Sequence, residues 1–139
     1  MEFPYIECEG MRKSVFYRPY LSIVLSFGRK SFRVPHALVD TGADVTVLPM
    51  DIAHYLEVEL DDTEGIEAGS AGGGKFVALP SRRPLHFRIE QQGHRPIIWD
   101  GIVYFAPREP VVLLGHRHCL EKLNLLFDGP RKILHIKTS

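Results

Sequence analysis

The sequence is poor in cysteine, in net charge and in long apolar runs, and each shortage removes a class of protein. Its two cysteines, Cys8 and Cys119, are too few for a disulfide framework and read as reduced thiols of a cytosolic setting. Lysine plus arginine balance aspartate plus glutamate at 17 each, which leaves no basic field to hold nucleic acid. No segment approaches the roughly 18 apolar residues of a membrane-spanning helix. The opening "MEFPYIECEG" has acidic residues and a proline where a signal peptide carries a basic head and an apolar core. The expected location is therefore cytoplasmic, although a domain excised from a longer precursor would read the same way.

What is present suits one core. With 139 residues, 45% hydrophobic and 24% charged, the chain has the size and composition of a single soluble domain over residues 1–139. "LSIVLSF" and "SFRVPHALV" flank the turn Gly28-Arg29-Lys30 as a hairpin, and "VTVLP" up to Pro49 is a third, β-branched strand. A helical turn over residues 51–56 follows that proline. "PLHFRIE" alternates apolar with polar residues and is answered, after a turn at 91–94, by "PIIWDGIVYF" read as one strand. "EPVVLLG" is short enough for a buried strand, "HRHCLEKLNLLF" spaces Leu120 and Leu123 as on a helix, and "NLLFDGPRKILHI" closes as a last hairpin. Strands at short intervals with turn residues between them predict an all-β fold: a closed, mostly antiparallel barrel or sandwich with one short C-terminal helix.

The glycines of "GSAGGGKF" raise the question of a phosphate-binding loop, since Lys75 follows Gly74 at the right spacing. Phe76 stands where a magnesium-binding hydroxyl is needed, and Pro80 and Pro84 forbid the helix that should follow. Flanked by "EGIEAGS" and "KFVALP", the glycines instead form the tip of a β-hairpin.

The most informative segment is "HALVDTGADVTVLP", residues 36–49. It is an apolar strand, a sharp Asp-Thr-Gly turn, and a second apolar strand. Apolar flanks bury such a turn and put the Asp40 carboxylate at the floor of a cleft, while Gly42 lets a neighbouring backbone come close. Here the chain resembles the retropepsin-like aspartic proteases, the single-domain, homodimeric family of the retroviral proteases. Three blocks in order carry the resemblance: "ALVDTGADVTVLP", "GSAGGGKF" and "VVLLGHRHCLEKLNLLF". Residues 1–17 lie outside it, as an N-terminal extension or a dimer strand.

The resemblance implies that Asp40, Thr41 and Gly42 form the catalytic loop. It makes the glycine-rich hairpin a flap, with Ala71, Gly72 and Gly73 at its tip, that closes over an extended peptide or protein substrate. Ala43, Asp44, Val45, Val47, Leu113 and Leu114 are the expected substrate-binding walls. Hydrolysis by this route needs two carboxylates about 3 Å apart sharing one proton, and the other Asp-Gly pairs, Asp100-Gly101 and Asp128-Gly129, lack the intervening hydroxyl residue. The second carboxylate is then Asp40 of another copy across a twofold axis, with no metal or organic cofactor. The family pattern has the terminal strands, here Ile133 to Ile136 and part of the N-terminal segment, interleave to make the dimer sheet. Many retroviral members place an arginine directly after the supporting glycine, paired with an aspartate of the catalytic loop. Here His116 follows Gly115 and Arg117 comes one place later, so either could serve Asp44. The alternative within the same fold is a catalytically weak or inactive module for peptide binding or dimerisation.

Plainer readings exist for the same residues. Asp40 alone is compatible with a turn aspartate bonding its own backbone. "GHRHC" offers His116, His118 and Cys119 to a metal, but residues two apart on a helix do not share a face and no second ligand pair has zinc spacing. Cys119 as a nucleophile would need His36, His86 or His94 as its base. Trp99, Tyr104 and Phe105 read as core or pocket residues rather than a nucleic-acid stacking platform.

Overall fold

The computed structural model describes residues 1–69 and 74–138. Alternation sets its strands. Along β4 (Tyr20–Phe27), Leu21, Ile23 and Leu25 are buried while Tyr20, Ser22 and Ser26 lie on the other face. β9 (Leu85–Ile89) repeats the pattern with Leu85, Phe87 and Ile89. β4 joins β5 (Lys30–Val39) through a two-residue turn in which Gly28 has φ +60°, the glycine-first geometry that matches the twist of a hairpin.

These strands belong to a nine-stranded sheet. Its other members are β6 (Val47–Pro49), β7 (Ile66–Gly69), β8 (Lys75–Pro80), β10 (Ile97–Gly101), β11 (Tyr104–Ala106) and β12 (Val112–Leu114). The order is β10-β9-β4-β5-β12-β6-β11-β8-β7. Two of the pairings are parallel, β12 on β5 and β11 on β6; the others are antiparallel. Because β12 lies between β5 and β6, the loop leaving β5 and the loop leaving β12 emerge side by side. α1 (Met50–Leu56) starts at Pro49 and buries Ile52, Ala53 and Leu56. A separate three-stranded sheet has the order β1-β14-β13, from β1 (Glu2–Pro4), β13 (Leu125–Asp128) and β14 (Ile133–Ile136). Met1, Leu134 and Ile136 tie it to the main core. β2 (Ile6–Glu9) and β3 (Val15–Arg18) form a two-stranded hairpin.

The all-β class is as expected, with four differences of detail. The nine-stranded ladder ends at β10 and β7, so it is an open sheet and not a closed barrel. The C-terminal helical segment is a single 3-10 turn, Leu120–Lys122, and the α-helix lies earlier, at α1. "PIIWDGIVYF" is two strands, because at Gly101 the backbone runs so close to His118 that an added Cβ would sit 2.5 Å from its carbonyl oxygen. The chain there leaves β9 and crosses to β6 and β8. Residues 1–17 divide, with β1 in the terminal sheet and residues 6–18 in the hairpin. Among the described residues no helix is long and apolar enough to cross a membrane.

Phe87 is fully buried and stacks on Trp99, with ring centroids 4.9 Å apart at 14°. Phe87→Ala is expected to cost about 3–5 kcal/mol of unfolding free energy, read as a lower denaturation midpoint at unchanged slope.

Candidate active site

β5 delivers Asp40. At the end of the parallel pairing of β5 with β12, the Asp40 N–H donates to the Leu114 carbonyl at 3.0 Å. The chain then turns: the Ala43 N–H donates to the Asp40 carbonyl at 3.1 Å, and the Gly42 N–H donates to Asp40 Oδ1 at 3.0 Å. A Cβ at Gly42 would stand 3.3 Å from that same oxygen, so glycine gives the carboxylate its room. Asp40 is half-buried, whereas Thr41 and Gly42 are exposed.

The second loop, residues 115–118, locks onto the first. The His116 N–H donates to the Ala43 carbonyl at 3.0 Å and the Arg117 N–H to the Asp44 carbonyl at 2.9 Å. Val45 and Arg117 add a parallel bridge. The Gly115 N–H donates to Thr46 Oγ1 at 3.1 Å, and Thr46 is fully buried. A Cβ at Gly115 would lie 2.2 Å from the Val45 carbonyl oxygen, so only glycine fits. His116 Nε2 lies 2.7 Å from the Thr41 carbonyl oxygen. A carbonyl only accepts, so Nε2 carries the hydrogen.

This answers which residue stands in for the arginine. His116 braces the Asp40 loop through the Thr41 carbonyl, and Arg117 contributes its backbone N–H to the Asp44 carbonyl. Among the described residues neither side chain forms an ion pair with the Asp44 carboxylate. The signal for Thr46 lies in "VTVLP", where β-propensity alone does not single it out. A hydroxyl between buried valines needs a partner, and that partner is the glycine of the other loop.

The expected walls divide by burial. Ala43, Val45 and Leu113 are half-buried, Asp44 is exposed, and Val47 and Leu114 are buried. Leu114 belongs to the main core. Val47 sits with Ala78 and Ala106 in a small cluster that Val45, Ile66, Phe76 and Tyr104 pack against. Residues from β7 and β8 therefore stand on the strand that follows the Asp40 loop. β7 and β8 pair in register from Ile66↔Ala78 to Gly69↔Lys75. The tip residues Ala71, Gly72 and Gly73 lie outside the described residues.

The rival chemistries lack convergence. Cys119 is buried, its thiol pushed up to about 12 by burial against a smaller lowering by a hydrogen bond with Thr46. His86 is engaged with Asp100 at 2.8 Å, and His36 packs edge-on to Tyr20. His116 turns to Thr41 while the Cys119 thiol faces Thr46, so "GHRHC" does not gather on one point.

The geometry has relatives. The Gag-Pro polyprotein of Human T-cell leukemia virus 3 (strain Pyl43) is 39% identical over 124 residues, 87% of this chain and 20% of that polyprotein. The retroviral protease-like domain of Ddi1 from Leishmania major shares the fold, with a TM-score of 0.50 at 13% identity over 86% of this chain and 90% of that one. The chain belongs to the retropepsin-like family. No family model matches it. EIAV protease complexed with the inhibitor HBY-793 aligns at 25% identity over 71% of this chain and 82% of that one, with a TM-score of 0.48. This retropepsin-like chain spans about a fifth of the length of the Gag-Pro polyprotein it matches, 20%.

The buried thiol gives a test of this packing. The fold holds Cys119 neutral, so its contribution to stability is complete below the ordinary cysteine range and is lost as pH climbs from there towards 12. In the native protein at pH 8, iodoacetamide should modify the half-buried Cys8 and spare Cys119. Mass spectrometry of peptides labelled before and after unfolding reads the difference, and equal labelling of both in the native state would contradict the packing.

Proposed function

We propose that the protein is an aspartic endopeptidase that hydrolyses peptide bonds with a water held between Asp40 of one copy and Asp40 of a second. The observation that carries this reading is the Asp40 loop itself. Its carboxylate is half-buried, tied through Oδ1 to the Gly42 N–H, and set in a loop that a second loop fastens at Ala43, Asp44 and Val45. A turn aspartate needs no such bracing. A catalytic carboxylate does, because its position must hold to within a fraction of an ångström.

Among the described residues the aspartates of the other two Asp-Gly pairs are engaged elsewhere: Asp100 pairs with His86 and Asp128 with Arg131. A second copy supplies the missing group. In the shared-proton state the ionised carboxylate takes a proton from the water as its oxygen attacks the peptide carbonyl, and the protonated one donates to the carbonyl oxygen. Collapse of the tetrahedral intermediate then breaks the C–N bond as the nitrogen gains a proton. The substrate lies extended between the loop and the β7–β8 hairpin, its alternate side chains directed to walls that include Ala43, Val45 and Leu113. Asp44, also expected as a wall, is exposed. No metal or organic cofactor enters the reaction.

The decisive measurement is cleavage of a mixed peptide library by wild type and by Asp40→Asn. The variant should remain folded and lose about three orders of magnitude or more in kcat. Undiminished cleavage by a clean preparation of it would end the assignment. Wild-type protein that folds and associates but cuts nothing would favour a peptide-binding module on the same fold. Because two adjacent carboxylates resist double ionisation, the rate should fall as pH rises through the neutral range; a rate still climbing at pH 9 would contradict a shared proton.

A further inference from the structure

The hairpin of β2 and β3 forms a sheet of its own, and one side of it is open. The Gly10 N–H donates to the Ser14 carbonyl at 2.7 Å. With Cys8 opposite Phe16 and Ile6 opposite Arg18, the alternation of an antiparallel ladder makes these the hydrogen-bonded pairs. The N–H and C=O groups of Val15 and Tyr17 then point away from β2, and among the described residues they have no backbone partner. The outer side of β1 differs. There the Gln91 carboxamide accepts from the Glu2 N–H at 3.2 Å and donates to the Glu2 carbonyl at 2.7 Å, as a neighbouring strand would.

The side chains of β3 suit an added strand. All four of its residues are exposed, with Val15 at 50%, Phe16 at 49% and Tyr17 at 45%. The run Val15-Phe16-Tyr17 contains no proline, lysine or bulge, the usual guards of a strand edge. The opposite side of the hairpin is guarded, because β2 carries Glu7 and Glu9. Ile6 and Cys8 share a groove of about 380 Å³ with Tyr20, His36, Pro110 and Val111. One part of the hairpin is therefore engaged with the rest of the chain, and the β3 edge is what remains for a partner.

The turn at the tip sets the charge of that partner. The Ser14 N–H donates to the Met11 carbonyl at 3.3 Å, and the two residues between them, Arg12 and Lys13, have φ of 60° and 58°. Two successive left-handed residues make the two-residue turn in which asparagine and glycine are favoured and long side chains are strained. Strain of this kind, kept at an exposed tip where Met11 is 87% exposed, points to a use for the side chains that cause it. Residues 10–18 contain Arg12, Lys13 and Arg18 and no acidic residue. Among the described residues none of these three side chains makes an ion pair or a hydrogen bond. Cations thus stand at both ends of the open edge.

We propose that β3 is a docking edge for an extended peptide segment of a partner protein, a run of β-branched or aromatic residues with carboxylates at its two ends, which adds to the hairpin as a third strand. The outward groups of Val15 and Tyr17 bond its backbone, the exposed side chains of Val15, Phe16 and Tyr17 pack against its own, and Arg12, Lys13 and Arg18 take its carboxylates. A two-stranded ribbon is marginal alone, so a third strand also steadies the hairpin.

The test uses the full chain carrying Asp40→Asn, so that no peptide is cut, and a short blocked peptide of alternating valine and threonine between paired glutamates. Amide exchange is followed by nuclear magnetic resonance. Saturating peptide should slow exchange at Val15 and Tyr17 about tenfold or more and leave Glu7 and Glu9 unchanged. The same peptide with lysines for glutamates should bind about tenfold more weakly. Arg12→Asn with Lys13→Gly is the decisive variant: it relieves the turn, so Tm should rise while affinity for the peptide falls about tenfold. Unslowed amides at Val15 and Tyr17, slowing at Glu7 and Glu9 in their place, or a double variant that binds as well as its parent would each overturn the proposal. So would binding to phosphatidylserine vesicles with none to the peptide, the mark of a membrane-seeking tip. Nothing here is read from catalysis, so an inert Asp40 site leaves the docking edge standing, and a hairpin that binds nothing leaves the aspartic-protease reading untouched.

Discussion

One close approach governs the rest: the backbone at Gly115 lies against Val45 with no space for a side chain between them. It lets two loops from separate strands run together as a short parallel ladder, with Thr46 burying its hydroxyl to satisfy the Gly115 N–H. The sheet order makes the approach possible, because β12 is inserted between β5 and β6. Ala43 and Asp44, which follow the Asp-Thr-Gly turn, are then held by backbone hydrogen bonds from His116 and Arg117. An added methyl at position 115 would push the loops apart at the point where Asp44 and Val45 are held, and Asp40 would lose its reference frame.

The bracing by His116 adds a different kind of constraint. An arginine in that position would pair with a carboxylate whatever the pH of an ordinary cell, whereas an imidazole donates one hydrogen to the Thr41 carbonyl and offers a compact ring. The contact is to backbone, so it fixes the path of the loop and leaves the Asp44 carboxylate to solvent. This chain therefore reaches a retropepsin-like loop geometry with a different set of polar contacts from the pattern the resemblance suggested.

Much of this was legible in the sequence, and the reasons for the gaps are physical. The hairpin of β4 and β5, the helical turn after Pro49 and the strand ending at Gly115 follow from alternation and from the placement of glycine and proline, which are local properties. The break between β10 and β11 was hidden, because it depends on His118 meeting Gly101 across the fold. The pairing of the terminal strands within the chain was hidden for a similar reason. "ILHI" is apolar enough to be an interface strand, but its partners are chosen by Met1, Tyr5 and Asn124, residues far from it in sequence and without any motif. At the site, the position of Asp40 could be read from three consecutive residues, while Thr46 and His116 could be assigned only once the two loops were seen together.

The Gln91 carboxamide on β1 has a consequence for how large an assembly can become. A ribbon with one sticky side can be lengthened once and is then finished; a ribbon sticky on both sides has no natural end and grows into a fibre. By imitating a peptide group on the outer side of β1, a single glutamine from a distant turn takes up the hydrogen-bonding positions that a further strand would need there.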